Sequence, residues 1–170
     1  MDAGSPPLCS RCRGSFPLLA EPRCPRCAEP TGGVGSPDGG AYDRSAPTAR
    51  CGICEDWPGP VVATDAPFEF TGAAAAAVRA LKYRRRRALA STMGRAMVSS
   101  AGRVANRLAS ATGRGARPIL VPVPLSRARL RERGFNQAHD LARVLEEAGA
   151  GELRDILWRG AGAARQAAAG

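Results

Sequence analysis

The chain has 170 residues and a formal net charge of +10, and since Lys82 is its only lysine, almost all of the positive charge is arginine. That length suits one domain or two small ones. No apolar run approaches the roughly 20 residues of a membrane span, and residues 1–7 are short, polar and acidic rather than signal-like, so a soluble, cytoplasmic chain with reduced thiols is expected.

In chain order, the first feature is the cysteine pattern. All six cysteines fall into three CxxC pairs, Cys9/Cys12, Cys24/Cys27 and Cys51/Cys54. A CxxC turn brings two thiolates within reach of one tetrahedral Zn²⁺, and two such turns close a structural site with no position left for substrate. Redox sites of the thioredoxin kind share the spacing, but no βαβ pattern surrounds these pairs. Six ligands make one and a half sites, and the shorter intervening segment favours Cys9/Cys12 together with Cys24/Cys27. Residues 31–50, rich in Gly, Pro, Ser and Thr, read as a flexible insert within a zinc-ribbon module of residues 1–60. Zinc there folds a segment too small to build a core. The arginines around the pairs leave a DNA- or partner-binding role open.

The second part, residues 61–170, alternates in period. Phe68 and Phe70 flank Glu69 in a strand pattern that ends at Gly72, and residues 73–83 are alanine-rich and helix-favouring. Leu89, Met93, Met97, Ala101, Val104 and Leu108 mark one face of a long helix closed by Gly113. Residues 119–123 form a short apolar strand broken by Pro122. Residues 134–149 make a second amphipathic helix with Phe135, Ala138, Ala142 and Leu145 on its face, and residues 153–158 make a further strand. The alternation predicts an α/β fold with an open, mostly parallel sheet and crossover helices.

Met93 and Met97 read as core filling, and His139, the only histidine, as a solvated helix residue. The Arg84–Arg87 run ordinarily means a solvated face. Between strand and helix, residues 124–134 carry Arg127, Arg129, Arg131 and Arg133. A basic loop that follows a strand and opens a helix is a phosphate-holding arrangement. RARLRER also reads as a short solvated helix in which Glu132 neutralises a neighbour.

The run VPVPLSRARLRERGFNQAHDLA, together with LCSRC, CPRC and FEFTG…LKY, resembles the ComF family of phosphoribosyltransferase-like proteins linked to DNA uptake in competent bacteria. The resemblance implies an amino-terminal zinc ribbon followed by the first part of a parallel-sheet, Rossmann-like phosphoribosyltransferase domain. It implies that Cys24, Cys27, Cys51 and Cys54 share one structural zinc, while Cys9 and Cys12 belong to a second or incomplete site whose partner pair is missing. It places Lys82, Tyr83, Ser126, Arg127, Arg131 and Arg133 on the phosphate or pyrophosphate side, with Asn136 and Gln137 at a helix start where donors can face an anion.

Type I phosphoribosyltransferases use phosphoribosyl pyrophosphate with Mg²⁺, and fixed cationic donors favour departure of the pyrophosphate. The resemblance covers residues 8–166 and matches only the first part of a full-length member. The acidic pair and Thr-rich turn that hold the ribose and its 5′-phosphate have no counterpart, so this chain is expected to be catalytically incomplete alone, with no catalytic residue to name. Mg²⁺ with the substrate is expected only for a full-length member. A chain of this extent is also expected to be marginally stable or to need a partner, its central strand being left as an edge. The alternative is a non-enzymatic zinc-ribbon module binding single-stranded DNA or a DNA-uptake protein through its arginines.

Overall fold

A computed structural model describes residues 8–30, 51–57, 59–113, 115 and 117–160. The insert at residues 31–50 and the segment after residue 160 lie outside them. The described chain is a mixture of helices with one small parallel sheet. No helix among these residues is long and apolar enough to cross a membrane.

Helix α1 (Ser10–Gly14) is one exposed turn capped by Cys9. The chain then runs extended, and Leu18 bridges Phe68 in antiparallel fashion. Glu69 N–H donates to Pro17 O at 2.9 Å, and the Phe16 and Phe68 rings meet edge to face at 4.9 Å. The predicted Phe68–Phe70 strand is therefore a single bridge. Phe70 is left largely exposed, with the Arg79 guanidinium 5.6 Å from its ring centroid.

Helix α2 (Gly72–Tyr83) buries Ala74, Ala75, Ala77 and Leu81. Helix α3 (Leu89–Thr112) buries Leu89, Ala90 and Met93, and Gly113 ends it at φ +64°. A left-handed residue of this kind costs glycine little, which is why the expected stop falls there. The core joins Phe16, Leu81, Leu89, Met93 and Phe135, with alanines of α2 and α3 between them. Phe16 thus carries the cysteine-rich amino-terminal part into the helical core.

Strand β1 (Ile119–Leu120) pairs in parallel with β2 (Glu152–Leu153), in the register Ile119 with Glu152 and Leu120 with Leu153. Both are shorter than the apolar runs suggested. Pro122 has no N–H to give a ladder, and after Arg154 N–H donates to Leu120 O at 3.0 Å residues 155–158 leave the sheet and are exposed, Trp158 at 86%. Between the strands lie α4 (Arg127–Arg133) and α5 (Gln137–Glu147). The arginine-rich connection is thus a helix, the second of the two sequence readings. Ser126 Oγ accepts from Arg129 N–H at 3.3 Å to start it, and Gly134 at φ +82° stops it. Helices α3 and α5 pack closely because residue 94 has no side chain: a Cβ there would lie 2.7 Å from Val144 Cβ.

Candidate metal centre and arginine junction

Two CxxC turns face each other. Within the first, Ala28 N–H returns to Cys24 O at 3.0 Å and Cys24 N–H reaches Glu29 O at 2.8 Å; within the second, Cys54 N–H donates to Cys51 O at 3.0 Å. The turns bring the Sγ atoms of Cys24, Cys27, Cys51 and Cys54 within 4.8 Å of one another. Among the separations are 3.4 Å (Cys27–Cys51), 3.8 Å (Cys24–Cys54) and 3.9 Å (Cys51–Cys54). Four sulfurs at about 2.3 Å from a tetrahedral Zn²⁺ stand about 3.8 Å apart, so the geometry fits such an ion. Cys24 and Cys54 are fully buried, and burial pushes the Cys54 thiol up and the Cys27 thiol well above the usual thiol range. Thiols in that state are neutral unless a cation takes the place of their protons.

The side chain that organises this centre is one that the sequence reading passed over. Arg26 lies between the first two ligands and is only 5% exposed. Its Nε donates to Val61 O at 2.9 Å, and its two terminal nitrogens donate to Cys54 O at 3.0 Å and Trp57 O at 2.9 Å. Its own carbonyl accepts from Thr64 N–H at 2.6 Å. One guanidinium therefore holds the second turn and the following segment against the first. It also sets a positive charge beside four sulfurs that carry a net negative charge once a divalent ion is bound.

Cys9 and Cys12 stand apart from this cluster, and both are exposed. Cys12 N–H donates to Cys9 Sγ at 3.4 Å. That bond lowers the Cys9 thiol, while the Cys9 sulfur raises the Cys12 thiol.

Of the phosphate-side candidates, Tyr83, Arg133 and Gln137 meet, at the junction of α2, α4 and α5. The Arg133 guanidinium lies over the exposed Tyr83 ring, 5.1 Å from its centroid. It donates through one terminal nitrogen to Gln137 Oε1 at 2.8 Å, whereas its Nε is buried with no hydrogen-bond partner among the described residues. Arg85 donates to Glu132 O at 2.7 Å. Arg87 grips Asp140 with two bonds of 2.6 and 2.8 Å and lies over the Phe135 ring.

The run Arg84–Arg87 is exposed throughout, as expected of a solvated face, and two of its members, Arg85 and Arg87, also tie the α2–α3 connection to α4 and α5. Its signal lay in Asp140, a carboxylate on the buried face of α5 that needs a cation. Lys82 follows directly before Tyr83, and Arg127 and Arg131 are exposed on α4. Ser126 and Asn136 are occupied as helix caps: Asn136 Oδ1 accepts from Ala138 N–H at 3.0 Å and its Nδ2 donates to Val123 O at 3.2 Å. His139 has an acidic neighbour that the sequence did not reveal, Asp155, with Nε2 and Oδ2 3.1 Å apart.

Family models, curated proteins and solved structures offer no match to this chain, so its chemistry is to be read from the thiol cluster and the arginine junction themselves.

Proposed function

We propose that this is a ComF-like protein of the phosphoribosyltransferase family, with a role in DNA uptake. In this reading a structural zinc in the Cys24/Cys27/Cys51/Cys54 cluster holds the amino-terminal module, and the β1–α4–α5–β2 unit belongs to a Rossmann-like domain that recognises pyrophosphate. The observation that carries the reading is the meeting of Tyr83 and Arg133. They come from LKY and from RERGFNQ, two motifs that the resemblance singles out separately and that lie far apart in the chain.

Stacking on the exposed Tyr83 ring fixes the plane of the Arg133 guanidinium, which suits it to a planar contact with phosphate oxygens. Exposed Arg127 and Arg131, with Lys82, supply further positive charge for a polyanion. Bound phosphoribosyl pyrophosphate would bring Mg²⁺ with it. The residues named here act on its pyrophosphate end by binding and orienting it.

Thermal melting with and without inorganic pyrophosphate tests this. The wild-type chain is expected to melt higher with pyrophosphate, whereas Arg133→Ala and Arg133→Lys are expected to lose that increment. An unchanged increment in both variants counts against the reading. A second reading, single-stranded DNA binding, is favoured by two exposed aromatic rings at the opposite ends of α2, Phe70 and Tyr83, each carrying an arginine. Filter binding across a salt series separates the two, because a steep fall in affinity with salt belongs to the nucleic-acid binder.

A further inference from the structure

The six cysteines of this chain divide into a closed set of four and an exposed pair. The exposed pair has the backbone of a metal-binding turn. Arg13 N–H returns to Cys9 O at 3.0 Å, as Ala28 N–H returns to Cys24 O at 3.0 Å in the closed set. Cys12 N–H is aimed at Cys9 Sγ, which fixes one sulfur with respect to the main chain. Ser15 Oγ donates to Cys12 O at 3.0 Å and secures the other end of the turn. The turn is thus built for two ligands, and among the described residues no third Cys, His, Asp or Glu joins them. No cysteine of this sequence remains to complete the set, and its one histidine is engaged with Asp155.

We propose that Cys9 and Cys12 form half of a second tetrathiolate zinc site, which closes when the same pair of a second copy of this chain supplies the other two sulfurs. Helix α1 has no buried residue, so a second copy can approach both thiols. Arg11 and Arg13 lie in the same turn, and four arginines from two copies would surround an ion–sulfur group of net charge about −2. Each chain carries +10, so like-charge repulsion opposes association without the metal. Each thiol gives up its proton on binding the ion, and no oxidant enters.

The proposal takes from the function above only the assignment of zinc to the closed set, and its test separates the two. Zinc content and light-scattering mass are measured on the intact chain, on Cys9→Ser/Cys12→Ser and on Cys51→Ser/Cys54→Ser. The expected wild-type result is one and a half zinc ions per chain and a doubled mass that a chelator returns to the monomer. The Cys9→Ser/Cys12→Ser variant should hold one ion per chain as a monomer with unchanged circular dichroism.

Wild type with one ion per chain and monomeric mass overturns the shared site, as does a dimer that survives the double substitution. A Cys9–Cys12 disulfide in protein purified under reducing conditions does the same. Co²⁺ in place of zinc adds a readout of the coordination itself: the intense sulfur-to-cobalt absorption of a tetrathiolate should grow 1.5-fold from the variant to wild type. Loss of all zinc in Cys9→Ser/Cys12→Ser, with Cys51→Ser/Cys54→Ser retaining it, would instead refute the assignment of zinc to the closed set.

Discussion

Burial raises the Cys27 and Cys54 thiols above 9.0, the ordinary thiol value, and this gives the metal-free and metal-bound forms opposite responses to pH. A thiol whose folded-state pKa is raised stabilises the fold fully below its unfolded value and ceases to do so as pH climbs above it. The metal-free chain should therefore keep a constant melting temperature through neutrality and lose it above about pH 9. With zinc bound the thiolates are already ionised, and acid returns protons that compete with the ion. The loaded chain should lose its extra stability on the acid side instead. Melting curves with and without chelator across pH check this, and parallel curves would refute it. At this scale the cysteine spacing announced a metal site but not its membership. Segment length favoured Cys9/Cys12 with Cys24/Cys27, whereas in the folded chain Cys24/Cys27 converge with Cys51/Cys54. Loop length is a weak guide because closing a longer flexible loop costs only slightly more entropy. Arg26 carried no signal at all, since a single arginine in a basic chain does not show that its donors will be buried among carbonyls.

Among the elements, α3 and α5 owe their close packing to Gly94. In an exposed helix interior, Gly→Ala gains about 1 kcal/mol from propensity. Here the new methyl would stand 2.7 Å from Val144 Cβ and 2.9 Å from its Cγ1, contacts that neither helix can relieve without moving. Overpacking of this kind costs about 1–3 kcal/mol and outweighs the propensity gain. Gly94→Ala should therefore lower the melting temperature, and in Gly94→Ala/Val144→Gly, which removes the opposing Cβ and both Cγ atoms, the loss should be smaller than the sum of the two single losses. A variant more stable than wild type would show that the helices can separate at no cost. The helices themselves were legible because their apolar residues recur over several turns and glycines mark their ends. The strands were not. Their apolar runs were real, but pairing depends on a neighbour's N–H and C=O groups, and the partners found lie within residues 118–120 and 152–154. RARLRER allowed both readings, and Ser126 and Gly134, which decide for helix, sit at its ends rather than inside it.

For the whole molecule, the question is what joins the thiol cluster to the helical body. Between residues 20 and 64 the described residues bury only Cys24, Arg26, Ala28 and Cys54, which is far too little apolar surface for an independent core. The module must borrow stability from an ion and from its neighbour. Asp65 makes the second connection: its side chain is 6% exposed and accepts from Arg23 at 3.0 Å on the module side and from Arg103 of α3 on the other. Arg23 also donates to Ala66 O at 3.0 Å, and Arg103 to Ser100 Oγ at 2.9 Å, so both guanidiniums are held in place around one carboxylate. Replacing it by the neutral Asp65→Asn leaves the mostly buried Arg23 with only the exposed Glu21, 2.6 Å from its Nε, as counter-charge. Removing one partner of a buried pair costs about 3–5 kcal/mol, and because Arg103 can turn to water the lower end applies, a drop of about 5–10 °C for a chain of this size. A lower melting temperature alone would not show coupling. In wild type, removing zinc should weaken the helices as well as the module, so a chelator should lower the melting of the helical circular-dichroism signal. In Asp65→Asn the module is no longer tied to α3, and the chelator should shift that signal much less. Equal chelator shifts in the two proteins would mean that the carboxylate stabilises the fold locally and that the Phe16–Phe68 contact carries the coupling.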